Sequence, residues 1–164
     1  MPTHEKSKVL ALLDEMQISY QIINHPAVFT IEEMERLQIA HMDKVVKNLF
    51  LRDDKKRNYY LIAMKSNKSA NLKELRHKIE SKPLSFASED DLCRILGLGK
   101  GAVSPLGAIN DADNIVTVII DKELVKYDFI GMHPNDNTAT VYIPADDLVK
   151  ILDAKGQKIL FVDL

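Results

Sequence analysis

Apolar positions recur along this chain with two periods, and the changes from one to the other mark out its elements. Between Lys6 and Met16, the residues Val9, Leu10, Leu12, Leu13 and Met16 fall on one side of a helix. Ser19–Asn24 then reads as a strand, closed by His25-Pro26, because proline drives the residue before it out of helical geometry. Thr30-Ile31-Glu32-Glu33 has the form of a capping box and predicts a second helix carrying Met34 and Leu37. Phe29, in the turn before it, has two readings: a hydrophobic staple against Met34, or a pocket wall. Val45–Leu51 is a short apolar run that predicts a heavily buried strand. Strand alternation places Val45, Lys47, Leu49 and Leu51 on one face and Val46, Asn48 and Phe50 on the other.

Asp53–Asn58 is a polar connection between that strand and Tyr59–Met64, so the pair predicts an antiparallel hairpin. Asn71–Ile79 is amphipathic with helical spacing, and Leu84–Ala87 reads as a short strand. Ser88 followed by Glu89, Asp90 and Asp91 is an N-cap with acids in the first turn, opening a helix that runs through Leu96 and stops at Gly97 or Gly99. Ile115–Asp121 is rich in β-branched residues and predicts a central strand. Asp128–Pro134 and Thr138–Ile143 predict a hairpin around Asn135-Asp136-Asn137. A helix opened by Pro144 and a strand over Lys158–Asp163 follow. There is no internal repeat and no linker. The expectation is an α/β fold: a single compact domain over residues 1–164, with a mixed, mostly antiparallel β-sheet of about six or seven strands and surrounding helices.

A length of 164 residues with 46% hydrophobic content suits one ordinary core. No apolar stretch approaches the roughly 20 residues of a membrane helix, and Met1–Lys6 lacks the apolar region of a signal peptide. A cytoplasmic location without membrane contact is expected. The single cysteine, Cys93, has no partner for an internal disulfide and reads as core filling. Net charge changes the picture more. The chain totals −2, yet Lys44–Lys82 holds twelve Lys or Arg against four Asp or Glu, a balance of +8 that leaves −10 for the rest. This basic middle is either a docking region for a polyanion or a solvated face of scattered charges.

Lys47 is the first candidate for chemistry, because a lysine in an apolar strand must reach water, find an ion-pair partner or meet something negative in a crevice. Gly97–Gly107 holds four of the six glycines, and the backbone N–H groups of such a loop can cradle anionic or carbonyl oxygens. It lacks the Gly-Lys-Ser/Thr ending of a P-loop and the spacing of a dinucleotide fingerprint. His4, His25, His41, His77 and His133 are dispersed, and no Cys-x-x-Cys, His-Glu-x-x-His or Gly-x-Ser-x-Gly motif occurs. No metal or cofactor is expected.

Three segments carry a resemblance: Lys47-Asn48-Leu49-Phe50-Leu51-Arg52, the loop from Gly101 to Asp111, and His133-Pro134-Asn135-Asp136-Asn137-Thr138-Ala139-Thr140. Together they resemble the bacterial prolyl-tRNA editing family, freestanding proteins similar to the editing insertion domain of bacterial prolyl-tRNA synthetase. The Lys-Asn-Leu-Phe-Leu and His-Pro-x-x-Asn-Thr forms look most like its alanyl-tRNA(Pro) deacylase branch. The resemblance implies hydrolysis of the ester joining a wrong amino acid to the 3′-terminal adenosine of tRNA(Pro). It implies catalytic roles for Lys47, Asn48, Gly101 and His133, with Lys47 positioning the aminoacyl-adenosine and the Gly101–Pro105 loop stabilising the oxyanion. It points to substrate contacts from Phe29, Thr30, Met34, Ala102, Val103, Ser104 and Pro105. Charge alone assigns tRNA contacts to Lys55, Lys56, Arg57, Lys73 and Arg76. The implied partners are the acceptor end of tRNA(Pro) and, transiently, prolyl-tRNA synthetase; the sequence leaves the oligomeric state open, with a monomer favoured. A Cys- or Ser-charged tRNA deacylase and a non-catalytic aminoacyl-tRNA binding module stay open as alternatives.

Overall fold

In the computed structural model, which describes residues 4–164, these periodicities become α1 (His4–Glu15), β1 (Gln21–Asn24), α2 (Ile31–Arg36), β2 (Val46–Asp53), β3 (Tyr59–Lys65) and α3 (Leu72–Lys78). They continue as β4 (Leu84–Phe86), α4 (Glu89–Asp91), β5 (Val116–Asp121), β6 (Phe129–Met132), β7 (Ala139–Pro144), α5 (Ala145–Ala154) and β8 (Lys158–Val162). Residues 1–3, part of the segment read above for a signal peptide, lie outside the described residues.

The α/β class holds, with the strands divided between two sheets. One has the order β1-β7-β6 and the other β4-β2-β3-β5-β8. β5 runs parallel to both β3 and β8, and the remaining pairs are antiparallel. A bridge between Val45 and Gly131 joins the sheets at the start of β2. Gly131 is required there: a Cβ at this position would stand 2.6 Å from Tyr142 Cε1 and 3.2 Å from Val45 Cγ2.

One face of the larger sheet packs under α1 and α5, with Val9, Leu13, Leu148 and Ile151 closing over Phe50, Leu61 and Val118. The opposite face buries Leu51, Ile62 and Ile119 against Leu75 of α3. β5 is covered on both faces, which explains its unbroken apolar run. A smaller core of Val28, Met34, Val45 and Tyr142 sits under α2.

Two readings need correction. β2 is heavily buried at Val46, Phe50 and Leu51 but not in between, because β4 pairs only with Leu51–Asp53 and leaves the outer edge of residues 46–49 without a strand partner. Lys47, Asn48 and Leu49 are therefore half-buried. Cys93 is exposed rather than core filling. Ser88 and Asp91 form a reciprocal capping box at α4, which widens over Leu92–Leu96 into a π-helical turn ended by Gly97 at φ +66°. Leu92, Ile95 and Leu96 take the inward face of that turn, and Cys93 points out.

Candidate active site

The unpaired edge at the start of β2 is the floor of a cavity of about 220 Å³. Val45, Val46, Lys47 and Asn48 form that floor, Gly101 and Val103 one wall, Met132 and His133 the other, and Phe29, Thr30, Ile31 and Met34 the roof. The local sequence explains each placement. The Val45–Gly131 bridge draws the end of β6, and His133 beyond it, toward Lys47. Thr30 caps α2 by accepting from Glu33 N–H, while the Glu33 carboxylate accepts from Phe29 N–H at 2.9 Å. This reciprocal pair fixes the turn at the mouth, where the Phe29 ring is 55% exposed. Phe29 is thus a pocket wall.

Lys47 Nζ donates to the Lys68 carbonyl at 3.1 Å. Lys68 is itself held by Asp121 at 2.8 Å and by Glu123 at 3.3 Å, so the anchor of Lys47 is fixed by ion pairs. An ammonium has three hydrogens, and this geometry commits one of them. Asn48 Nδ2 donates to the Val103 carbonyl at 3.4 Å, tying the loop to β2, and Asn48 Oδ1 is buried with no partner among the described residues. A buried acceptor in that state costs about 1–3 kcal/mol until a donor reaches it.

Gly101 has φ +88°, and a Cβ there would lie 2.7 Å from Phe29 Cδ1 and 3.1 Å from the Val28 carbonyl oxygen. Asn137 Nδ2 donates to that carbonyl at 2.7 Å, clamping the late segment 133–140 to the Phe29 turn. His133 Nδ1 faces the Ala139 carbonyl at 2.8 Å and must donate to it, which leaves Nε2 as the acceptor of the neutral ring. Burial pushes the His133 pKa down. The Ala139 hydrogen bond and Asp136 oppose that shift, and His25 adds to it. The two rings stand 6.0 Å apart.

Ala102, Ser104 and Pro105 do not line the cavity. Ser104 is fully buried and its Oγ accepts from Leu106 N–H, capping a 3-10 turn that Pro105 opens. The basic residues are divided rather than gathered. Lys55, Lys56 and Arg57 are exposed at the β2–β3 tip, roughly 20 Å from Lys47 at the usual strand rise. Lys73 is exposed on α3, and Arg76 Nε donates to the Ser81 carbonyl. Lys65 and Lys68 are paired with Glu123 and, for Lys68, Asp121. Among the described residues, no group of three or more His, Cys, Asp or Glu is placed to hold a metal, and no helix is long and apolar enough to cross a membrane.

Sequence reasoning missed Val45, Val46, Ile31 and Met132 as lining residues, and missed His25 and Asn137 as supports. A signal existed for one of them. His25-Pro26 and His133-Pro134 are both His-Pro steps that follow strands, and β7 lies between those strands and sets the two rings side by side. His25 Nε2 meets Thr140 Oγ1 at 2.9 Å, and its Nδ1 faces the Pro26 carbonyl.

The family model described as an aminoacyl-tRNA editing domain matches residues 25–151, the span that contains every residue lining this cavity. The chain is 48% identical over 164 residues to the prolyl-tRNA editing protein ProX of Acetoanaerobium sticklandii, covering all of both chains. It is 34% identical over 155 residues to prolyl-tRNA synthetase associated domain-containing protein 1 of Danio rerio, covering 93% of this chain and 83% of the relative. Among solved structures, a candidate trans-editing enzyme for prolyl tRNA synthetase superposes with a TM-score of 0.75. The identity is 17%, covering 100% of this chain and 99% of the other, and shows a shared fold.

Proposed function

Because this chain belongs to the aminoacyl-tRNA editing family, we propose that it is a trans-editing hydrolase that cleaves the ester of mischarged tRNA(Pro), with Ala-tRNA(Pro) as its substrate. The observation that carries this reading is a single cavity bringing together Lys47, Asn48, Gly101 and His133 under apolar walls. The hydrogens of Lys47 Nζ that Lys68 leaves free hold a carbonyl or phosphate oxygen of the aminoacyl-adenosine. N–H groups of the loop at Gly101 stabilise the negative charge that develops on the ester oxygen. Water is the nucleophile. It adds to the ester carbonyl, and the ribose oxygen leaves with a proton, giving free alanine and tRNA. His133 Nε2, unprotonated at neutral pH, is an acceptor for a substrate hydroxyl or for that water.

Selection of the amino acid falls to Phe29, Ile31, Met34, Val45, Val46 and Met132. A rigid apolar wall refuses proline by steric exclusion more strongly than the ~1–3 kcal/mol per methylene available from lost contacts. The protein would act in the cytoplasm, where tRNA(Pro) is charged, in transient contact with prolyl-tRNA synthetase.

A deacylation panel with Ala-, Cys-, Ser- and Pro-charged tRNA(Pro) tests the proposal. Ala-tRNA(Pro) is expected to be hydrolysed and Pro-tRNA(Pro) spared, with Lys47→Ala slowing turnover by about a hundredfold or more, as for loss of a donor to a developing oxyanion. No hydrolysis of any charged tRNA at excess enzyme would overturn the reading in favour of a binding module.

A further inference from the structure

A second groove, of about 340 Å³, continues from the cavity along the open edge of β2 and shares Asn48, Gly101 and Val103 with it. Its apolar floor includes Phe50, Ala87 and Leu92, and Phe86 and Lys100 stand on its rim. Phe86, the last residue of β4, is 61% exposed and is the most open of the large hydrophobic side chains among the described residues. Lys100 is exposed on the glycine-rich loop. At about 220 Å³ the first cavity is below the ~300–1,000 Å³ of sites that enclose a whole small-molecule ligand. It accommodates an aminoacyl group without the nucleoside to which that group is joined.

We infer that the groove between β4 and the glycine-rich loop is the subsite for the 3′-terminal adenosine of the aminoacyl-tRNA, with adenine stacked on Phe86 and the adjoining phosphate on Lys100. The inference rests on the deacylase reading and extends it to the nucleotide half of the substrate.

The covalent order of the substrate matches the order of the site. Amino acid, ribose and base follow one another, as do cavity, shared wall and groove. Asn48 stands at the shared wall, where its Nδ2 holds the Val103 carbonyl and its unpartnered Oδ1 is the acceptor left for a ribose hydroxyl. Gly101 lines both spaces at this junction, and its φ of +88° and the close approach of Phe29 and the Val28 carbonyl leave no room for a side chain there. Glu89 also lines the groove and disfavours a phosphate on its own side. That places the phosphate toward Lys100 and leaves the carboxylate as an acceptor for the exocyclic amine of adenine. An aromatic face on a strand end beside a cation is the usual equipment for holding single-stranded nucleic acid.

The test is a titration of the full chain with the RNA trinucleotide CCA, followed by NMR shifts, with CCU as the comparison. CCA is expected to bind more tightly than CCU. Phe86→Ala should weaken CCA about five- to a hundredfold, the range for loss of one base-aromatic stack. Phe86→Trp should restore binding, and Phe86→Leu, which keeps apolar bulk at an exposed site, should not. Lys100→Ala should lower the salt slope by about one. Binding of CCA that is absent, or unchanged in Phe86→Ala and Phe86→Leu, overturns the inference. The two readings separate cleanly. Hydrolysis of charged tRNA with Phe86-independent binding removes only the subsite, whereas Phe86-dependent binding without any hydrolysis removes only the deacylase.

Discussion

His133 carries the clearest electrostatic signature in the cavity. Burial disfavours its charged form, and the nearby His25 ring adds to that effect, so its pKa lies below the ordinary 6.5. A base whose pKa is lowered is neutral across neutral pH and gains its proton only in acid. Turnover is therefore expected to be flat in His133 protonation near pH 7 and to fall as pH drops through a value below 6.5. The pH profile of kcat/KM checks this, and His133→Asn should lose the acid limb. Gly101 makes a different kind of demand. Gly101→Ala would place a Cβ 2.7 Å from Phe29 at a φ of +88°, so the loop or the Phe29 turn must shift. We expect a stability loss of about 1–3 kcal/mol by urea denaturation and at least a tenfold loss of deacylation. Lys47 was legible in sequence as an anomaly, a charge in an apolar strand. Its anchor on the Lys68 carbonyl, 21 positions away, was not.

Among the elements, α4 is fastened to the sheet by a carboxylate. Burial raises the pKa of Asp91, but hydrogen bonds from Ser88, Arg94 and Arg52 outweigh burial and bring it to about 2. Arg52 lies 2.6 Å and Arg94 2.9 Å from its oxygens, and the Asp91 side chain is 8% exposed. A carboxyl depressed in the folded state stabilises above its unfolded pKa, and that contribution disappears as pH falls from about 4 to about 2. Asp91→Asn is expected to lose about 2 kcal/mol at pH 7, with the difference from the parent chain vanishing toward pH 2 in urea melts. The acids after Ser88 are legible in sequence as the first turn of a helix, where they suit its positive end. In the fold Asp91 also receives Arg52 from β2, a contact between elements 39 residues apart that no local window contains. The π-helical turn at Leu92–Leu96 escaped notice for a related reason: its apolar spacing is that of an ordinary helix, and packing against the core decides the wider turn.

For the whole molecule, the question is how charge and the two sheets are distributed. The basic middle does not form one patch: Lys65 and Lys68 are consumed by Glu123 and Asp121, while Lys55, Lys56 and Arg57 stay exposed at a hairpin tip roughly 20 Å from the cavity. Replacing these three by glutamine should weaken tRNA binding and lower its salt slope by up to about three. Hydrolysis of a short charged CCA substrate, which lacks the phosphates of the acceptor stem, should be affected less. Comparing the salt dependence of full tRNA and the short substrate checks this. Nearly every strand and helix is legible along the chain, because period-two and period-3.6 patterns, caps and prolines act over a few residues. The sequence also marks Lys47, the glycine-rich loop and His133, because each departs from the local pattern around it. Three features emerge only from folding: the strands divide into two sheets, β4 is too short to cover the start of β2, and a bridge from Val45 to Gly131 draws three distant segments around the exposed edge. Strand pairing and close approach are set by contacts between residues far apart in the chain, and a pattern read along the chain carries no information about which edge stays open.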